Sequence, residues 1–244
     1  MPGRTFRRQS DAIYDELRRM IIRTELKPGS LIEEPEIMRR LDVGRTPLRE
    51  ALQRLVQEDL VRNVPRRGYF VTDTSASDLF HVFDVRLRLE GLAARRAAER
   101  ATEVHLKEFE QLLEEGQAGI DAGTEDLVWN IEIDERFHLL VARASGNPYL
   151  VRDIARHYAL SVRVLYLSQM RLTLVRDEIS AYRALYKALR QRDPQAAEAA
   201  MALHLGDSPL QLISNTPPAA GRGEAASNGA PRRAARPGRR NQGK

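Results

Sequence analysis

Asp134 and His138 stand four residues apart in a stretch with helical spacing, so both side chains fall on one face of a predicted helix. His204 lies in Met201-Ala202-Leu203-His204-Leu205, on the last predicted helix of the chain. A carboxylate with two imidazoles is a donor set suited to a divalent ion such as Zn²⁺, Ni²⁺ or Mn²⁺. An imidazole within a Leu/Met stripe serves more often as a hydrogen-bonded core residue, and the residues alone leave both roles open. Arg86 offers a different chemistry. Its guanidinium can grip a carboxylate ligand bidentately, or pair with Glu90 one helical turn later.

A second set of residues points to nucleic acid. In Val43-Gly44-Arg45-Thr46-Pro47-Leu48-Arg49-Glu50-Ala51-Leu52, Thr46 suits an N-cap and Pro47 a first helical turn, where its missing N–H is not needed. Leu48, Ala51, Leu52 and Leu55 then recur at helical spacing and give the helix an apolar face. Arg45 and Arg49 project from its N-terminal end, the end that enters a major groove in helix-turn-helix proteins. Arginine is the side chain best suited to a two-point hold on guanine.

All of these residues need elements to aim them. Tyr14, Leu17, Met20 and Ile21 mark an amphipathic first helix that should end at Lys27-Pro28-Gly29. Glu33-Glu34-Pro35-Glu36 opens a short second helix, with acidic groups where the helix dipole favours them and with Ile37, Met38 and Leu41 inward. Downstream, Val61-Arg62-Asn63-Val64 and Tyr69-Phe70-Val71-Thr72 flank Pro65-Arg66-Arg67-Gly68, a β-hairpin with a basic tip. Three helices and a hairpin make a winged helix-turn-helix. Its wing tip suits phosphate or minor-groove contact.

The rest of the chain reads as helices near 76–101, 103–119, 124–145, 148–170, 175–192 and 194–206, a six-helix bundle with a core able to host a ligand. The fold class is therefore mainly α. Its parts are a flexible arm over 1–9, a winged helix-turn-helix over 10–74, a helical effector-binding and dimerisation domain over 75–208, and a basic tail over 209–244. The formal charge of +5 is unevenly spread: +3 over residues 1–74, −4 over 75–214 and +6 over 215–244. The tail is rich in Pro, Gly, Ala and Arg and should be disordered. Arg232, Arg233, Arg236, Arg239 and Arg240 make it either a nonspecific DNA-binding arm or a solubilising extension. The absence of cysteine excludes disulfides and thiolate metal sites. No stretch is apolar enough to span a membrane, and the N-terminal arginines lead into no signal core, so a cytoplasmic protein is expected.

Residues 10–74 resemble the DNA-binding domain of the GntR family of bacterial transcription regulators. The resemblance rests on Leu26-Lys27-Pro28-Gly29, Val43 to Leu52 and Arg66-Arg67-Gly68-Tyr69-Phe70-Val71. It implies that Arg45, Thr46 and Arg49 contact an operator, with Arg66 and Arg67 at the wing tip, and that Gly68 lets the wing approach the DNA backbone. Gly44 and Asp42 depart from the Ser and Gly usual in the family. The change removes a capping hydroxyl and adds a negative charge near DNA.

Residues 77–206 resemble the FCD effector domain of the FadR subgroup, on Arg86-Leu87-Arg88-Leu89-Glu90, Asp134-Glu135-Arg136-Phe137-His138, Ser145-Gly146-Asn147 and Met201 to Leu205. Such domains commonly hold a divalent cation through one Asp and three His. Asp134, His138 and His204 match three of these positions, and the fourth, 22 residues before His204, is Tyr182. Three outcomes are then open: a metal on three protein ligands plus water or effector, Tyr182 as a weak ligand or as a hydrogen-bonding partner of the effector together with Arg86, or no metal and a polar pocket that binds the ligand directly. The resemblance implies a homodimeric repressor on a pseudo-palindromic double-stranded operator, released by a small carboxylate effector. One alternative is a regulator whose bundle only dimerises. A metal-dependent hydrolase has less in its favour, because no nucleophile motif or second acid–base pair accompanies the three residues.

Overall fold

The structure, a computed structural model, describes residues 9–124, 126–168 and 175–214. Most of the expected arm and tail therefore lies outside the described residues. Gln9 already belongs to the first helix, α1 (Gln9–Ile22). That helix ends a turn before the expected Lys27-Pro28-Gly29 stop. The break falls where Thr24 enters a left-handed conformation (φ 58°) and its N–H reaches back to the Ile21 carbonyl. Ile13, Leu17, Met20 and Ile21 form its buried face.

The second helix, α2 (Glu34–Leu41), has Pro35 in its first turn and Glu34 and Glu36 at its positive end. It leads through Asp42 into α3 (Arg45–Gln57). Here the expected cap is corrected: Gly44, not Thr46, is the N-cap, and no side chain caps the helix. Pro47 is thus the third helical residue. The first intrahelical bond runs from the Leu48 N–H to the Gly44 carbonyl, so proline takes the last position at which a missing N–H removes no bond. Leu48, Ala51, Leu52 and Leu55 pack into the core, as their spacing predicts.

The wing is a two-stranded antiparallel hairpin, β1 (Val61–Val64) and β2 (Gly68–Val71), in which Val61 pairs with Val71 and Val64 with Gly68. Leu31 bridges to Phe70 and extends the sheet by one short antiparallel contact. Pro65 and Arg66 form the turn, closed by the Arg67 N–H on the Val64 carbonyl. Proline followed by a positive φ (Arg66, 63°) marks a type II turn, whose second central position ordinarily takes glycine.

Six helices complete the described chain. They are α4 (Ala76–Arg100), α5 (Glu103–Ala122), α6 (Leu127–Ala144), α7 (Pro148–Ser168), α8 (Val175–Arg190) and α9 (Pro194–Ser214). Ser75 and Asp78 form a reciprocal capping box that starts α4, and Asp126 caps α6. The last helix runs to Ser214, past the expected end at 206 and through the first residues of the segment read as tail. Gly206 and Pro209 do not stop it. The long α4 is the central element and packs on α6, α7, α8 and α9.

Two hydrophobic cores organise the chain. One fills the bundle, with Ala93, Ala94, Ala97 and Ala98 letting neighbours approach α4 closely. The other belongs to the winged domain but also contains Ile131 of α6 and Tyr158, Ala159 and Val162 of α7. The domains therefore share apolar packing. Around it, Arg18 of α1 reaches Glu135 of α6 (3.2 Å) and Arg23 reaches Glu132 (3.2 Å). Arg163 of α7 is fully buried and donates to both the carbonyl and the hydroxyl of Thr72, just beyond the wing.

Asp42 at the C-terminus of α2 adopts a left-handed conformation (φ 51°), which strains a residue with a Cβ. Asp42→Gly is expected to raise stability by up to about 1 kcal/mol, the relief of that strain less the greater freedom glycine gives the unfolded chain. A shift of the urea midpoint at constant m-value measures it.

Candidate nucleic-acid interface and ligand site

Arg45, Thr46 and Arg49 are all exposed at the N-terminal end of α3. With Gln53, Tyr69 and the start of α1 at Ser10 and Asp11 they line an open groove beside the recognition helix. Gln53 donates to the Tyr69 hydroxyl (2.8 Å) and so ties the helix to the hairpin. Arg66 and Arg67 are exposed at the wing tip. The Phe70 ring lies 5.3 Å from the Arg62 guanidinium and 5.8 Å from that of Arg67, close enough for cation–π attraction to steady both. Gly68 has φ 103°, and a Cβ there would stand 3.3 Å from Leu31, so the glycine serves the backbone turn as well as any approach to DNA. One feature was not legible in the sequence. Arg49 is held by Glu34 of α2, with Nε 3.0 Å from Oε2 and Nη2 3.3 Å from Oε1.

The five residues singled out in the bundle come together. Asp134 and His138 share the inward face of α6, Arg86 reaches in from α4, Tyr182 from α8 and His204 from α9. Asp134, His138 and His204 each present a ligand atom, all within 4.8 Å of one another. The two Nε2 atoms of the histidines are 3.2 Å apart, and Asp134 Oδ1 lies 3.3 Å from His138 Nε2. Two imidazole nitrogens at that separation either share a proton in an N–H···N hydrogen bond or flank a metal ion. With metal–nitrogen bonds of about 2.0–2.1 Å, two ligands on one ion sit roughly 2.9–3.4 Å apart, so these two pairs fit a shared ion, with Asp134 and His204 within 4.8 Å of each other.

The surroundings fit as well. His138 Nδ1 contacts the Glu90 carboxylate, and His204 Nδ1 lies 2.5 Å from Glu178 Oε2. A carboxylate at Nδ1 keeps the proton there and turns Nε2 inward, the arrangement found behind metal-bound histidines. Sequence reasoning missed Glu178, Tyr158 and Ser161, which come from elements distant along the chain. The Arg86–Glu90 pair, by contrast, was legible from its four-residue spacing. It forms at 2.7 Å, buried, and Arg86 also donates to Ser161 Oγ (2.9 Å). Its Nη2 remains 3.3 Å from His138 Nε2 and faces the site. Tyr182 donates to Asp134 Oδ1 (2.6 Å) and stacks on Phe137, while Tyr158 donates to Asp134 Oδ2 (2.8 Å).

The electrostatics follow from this packing. Burial alone would raise the Glu90 carboxyl, but Arg86 and His138 hold it down at about 2. Burial would lower the His138 imidazole, yet Glu90 and Asp134 bring it up to about 9. Asp134 is pushed up by burial and pulled further down by His138, His204 and the Tyr182 hydroxyl, ending well below the usual carboxylate range. The tyrosines move the opposite way. Burial beside Asp134 lifts Tyr158 and Tyr182 well above the usual phenol range, so both stay hydroxyl donors. The site is thus a largely buried cluster of mutually compensating charges, in which an anionic group would meet the Arg86 guanidinium and any metal-borne positive charge.

This combination of a winged helix-turn-helix and a helical bundle defines a class: DNA-binding regulators. The comparisons agree. Residues 9–71 match the family described as bacterial regulatory proteins, gntR family, and residues 81–207 match the FCD domain. The chain belongs to the GntR family and carries an FCD domain; it is a DNA-binding transcription regulator and not an enzyme. It is 31% identical to the HTH-type transcriptional repressor RspR of Escherichia coli over 193 residues, covering 79% of this chain and 84% of that one. It is 29% identical to the HTH-type regulator YdhC of Bacillus subtilis over 195 residues, covering 78% and 85%. Among solved structures, Escherichia coli McbR/YncC shares the fold with a TM-score of 0.72 at 23% identity, over 86% of this chain and 99% of that one. Among the described residues no helix is long and apolar enough to cross a membrane.

Arg66 holds a left-handed backbone at the wing tip for no packing reason, since its side chain is exposed. Arg66→Gly is expected to leave stability within about 1 kcal/mol of the parent, because relieved strain offsets glycine's entropy. The same variant is expected to bind DNA more weakly across all sequences, with the salt slope smaller by about one. Thermal melts and fluorescence titrations over a salt series check both halves.

Proposed function

We propose that this regulator is a homodimeric, cytoplasmic repressor that leaves a pseudo-palindromic operator when a small organic acid binds in the bundle beside a divalent cation. Arg45, Thr46 and Arg49 read the operator in this scheme, and Arg66, Arg67 and Gly68 place the wing against its backbone. The observation that carries the ligand half is the convergence of Asp134, His138 and His204, with a carboxylate behind each imidazole. Those three residues would hold Zn²⁺, Ni²⁺ or Mn²⁺ with positions left open, because Tyr182 donates to Asp134 where a fourth protein ligand would otherwise stand. A bound cation supplies positive charge on which a carboxylate can coordinate. Arg86 Nη2 lies at the same centre to orient that carboxylate, and the Tyr182 hydroxyl joins it by turning its one proton from Asp134 to the ligand. Likeness to the transcriptional repressor RspR supports repression.

A path from ligand to DNA is supported by how α6 and α7 are placed. Helix α6 carries Asp134 and His138 toward the bundle centre and Ile131, Glu132 and Glu135 toward α1. Tyr158 joins the two directly, with its hydroxyl on Asp134 and its ring in the winged domain's core. An effector shifts the placement of the recognition helices only as far as it binds the two arrangements with different affinity.

One observation favours a second reading. With Tyr182 on Asp134, and Arg86 against His138, the polar cluster is already closed, as expected of a bundle that only dimerises. Thermal melts with Zn²⁺, Ni²⁺ or Mn²⁺, each with and without a panel of hydroxy, keto and sugar acids, separate the two. The ligand-binding reading expects stabilisation of about 2.7 kcal/mol at a metal concentration 100 times Kd. It also expects that effect to vanish in Asp134→Asn and an acid to weaken operator binding. No stabilisation by any metal and no acid that alters operator binding would overturn the ligand-binding reading.

A further inference from the structure

The pairing of Glu34 with Arg49 assigns α2 a part in sequence reading. A guanidinium has a side edge, formed by Nε–H and one Nη2–H, and an end edge, formed by the outward hydrogens of Nη1 and Nη2. Glu34 takes the side edge of Arg49, at 3.0 and 3.3 Å. The end edge is left with two parallel donors. Two such donors are what the O6 and N7 acceptors of guanine require in the major groove.

The acid is the fixed member of the pair. Glu34 is the first residue of α2, where the helix dipole favours its charge, and Pro35 follows it. Its side chain is 17% exposed, against 54% for Arg49. The arginine would otherwise sample many rotamers over the groove. Arg45, four residues earlier, has no acidic partner among the described residues, so the brace is particular to Arg49.

Stability does not explain the pair, because exposed ion pairs contribute little. Gross DNA affinity does not explain it either. A carboxylate beside the groove repels phosphate and weakens binding to every sequence. Orientation does explain it, since a side chain fixed before binding loses less freedom when it meets its base. We propose that Glu34 is a specificity-determining positioning residue that holds Arg49 with its end edge toward one guanine of each half-site. This rests on the reading in which Arg49 contacts operator bases.

The test uses duplexes recovered from a randomised pool by the full-length protein, together with a panel in which each base pair is changed singly. Arg49→Ala identifies the base pair that Arg49 reads. Glu34→Gln is expected to lower discrimination at that same base pair by about tenfold, to leave discrimination at all others intact, and to leave binding to random-sequence DNA equal or tighter. Intact discrimination elsewhere is also the control that the variant is folded. If Glu34→Gln keeps full discrimination at the Arg49 base pair and merely binds every duplex more tightly, the acid is only an electrostatic filter and the proposal is overturned. If Arg49→Ala keeps discrimination at every position, the base-reading role of Arg49 fails, and the brace fails with it.

Discussion

Burying charge inside a helical bundle is the constraint on which the rest of this structure depends. Arg86, Glu90, His138 and His204 are all nearly inaccessible to water, and Asp134 opens onto the same cluster. A lone buried ion would be prohibitively unstable, so each group is present only because its neighbours compensate it. Arg86 neutralises Glu90, Glu90 orients His138, and His138 and two tyrosines hold Asp134. Five helices must keep register for this to work. The cluster is therefore both the chemical centre of the domain and the feature that punishes any misplacement of its helices.

That dependence extends into the DNA-binding domain. Tyr158 is compelled by its hydroxyl to stay at Asp134 and by its ring to stay in the winged domain's core. Arg163, whose guanidinium is brought down to about 10 by burial despite the pull of Asp73, donates through Nη1 and Nη2 to Thr72 at the exit of the wing. The interface is thus a packed apolar surface with polar clasps at both ends. Such surfaces shift between discrete arrangements more readily than they bend.

Local signals fixed a good deal. Helical spacing located all nine helices of the described residues and the buried face of α3, because amphipathic periodicity is a property of neighbours in sequence. The i,i+4 relations of Asp134 with His138 and of Arg86 with Glu90 were legible for the same reason. Boundaries were less so. Thr46 looked like a cap, but the conformation that frees the Leu48 N–H for the Gly44 carbonyl places the cap two residues earlier. Gly206 and Pro209 are residues that ordinarily break helices, yet α9 continues to Ser214, past the expected end at 206. Breaker residues set a local preference, which the rest of a helix can override.

By itself the sequence determined the class of the protein, the winged module with its arginines, and three candidate ligands on one bundle. These follow from spacing along the chain and from family patterns carried in short segments. Only the tertiary structure decided what each of those residues faces. It turned Glu34 toward Arg49, set Glu178 behind His204, and made Tyr182 a donor to Asp134. It also put Tyr158 between two cores. Partners from helices 15 to 48 residues apart meet because of packing angles, and those depend on the whole set of buried side chains at once.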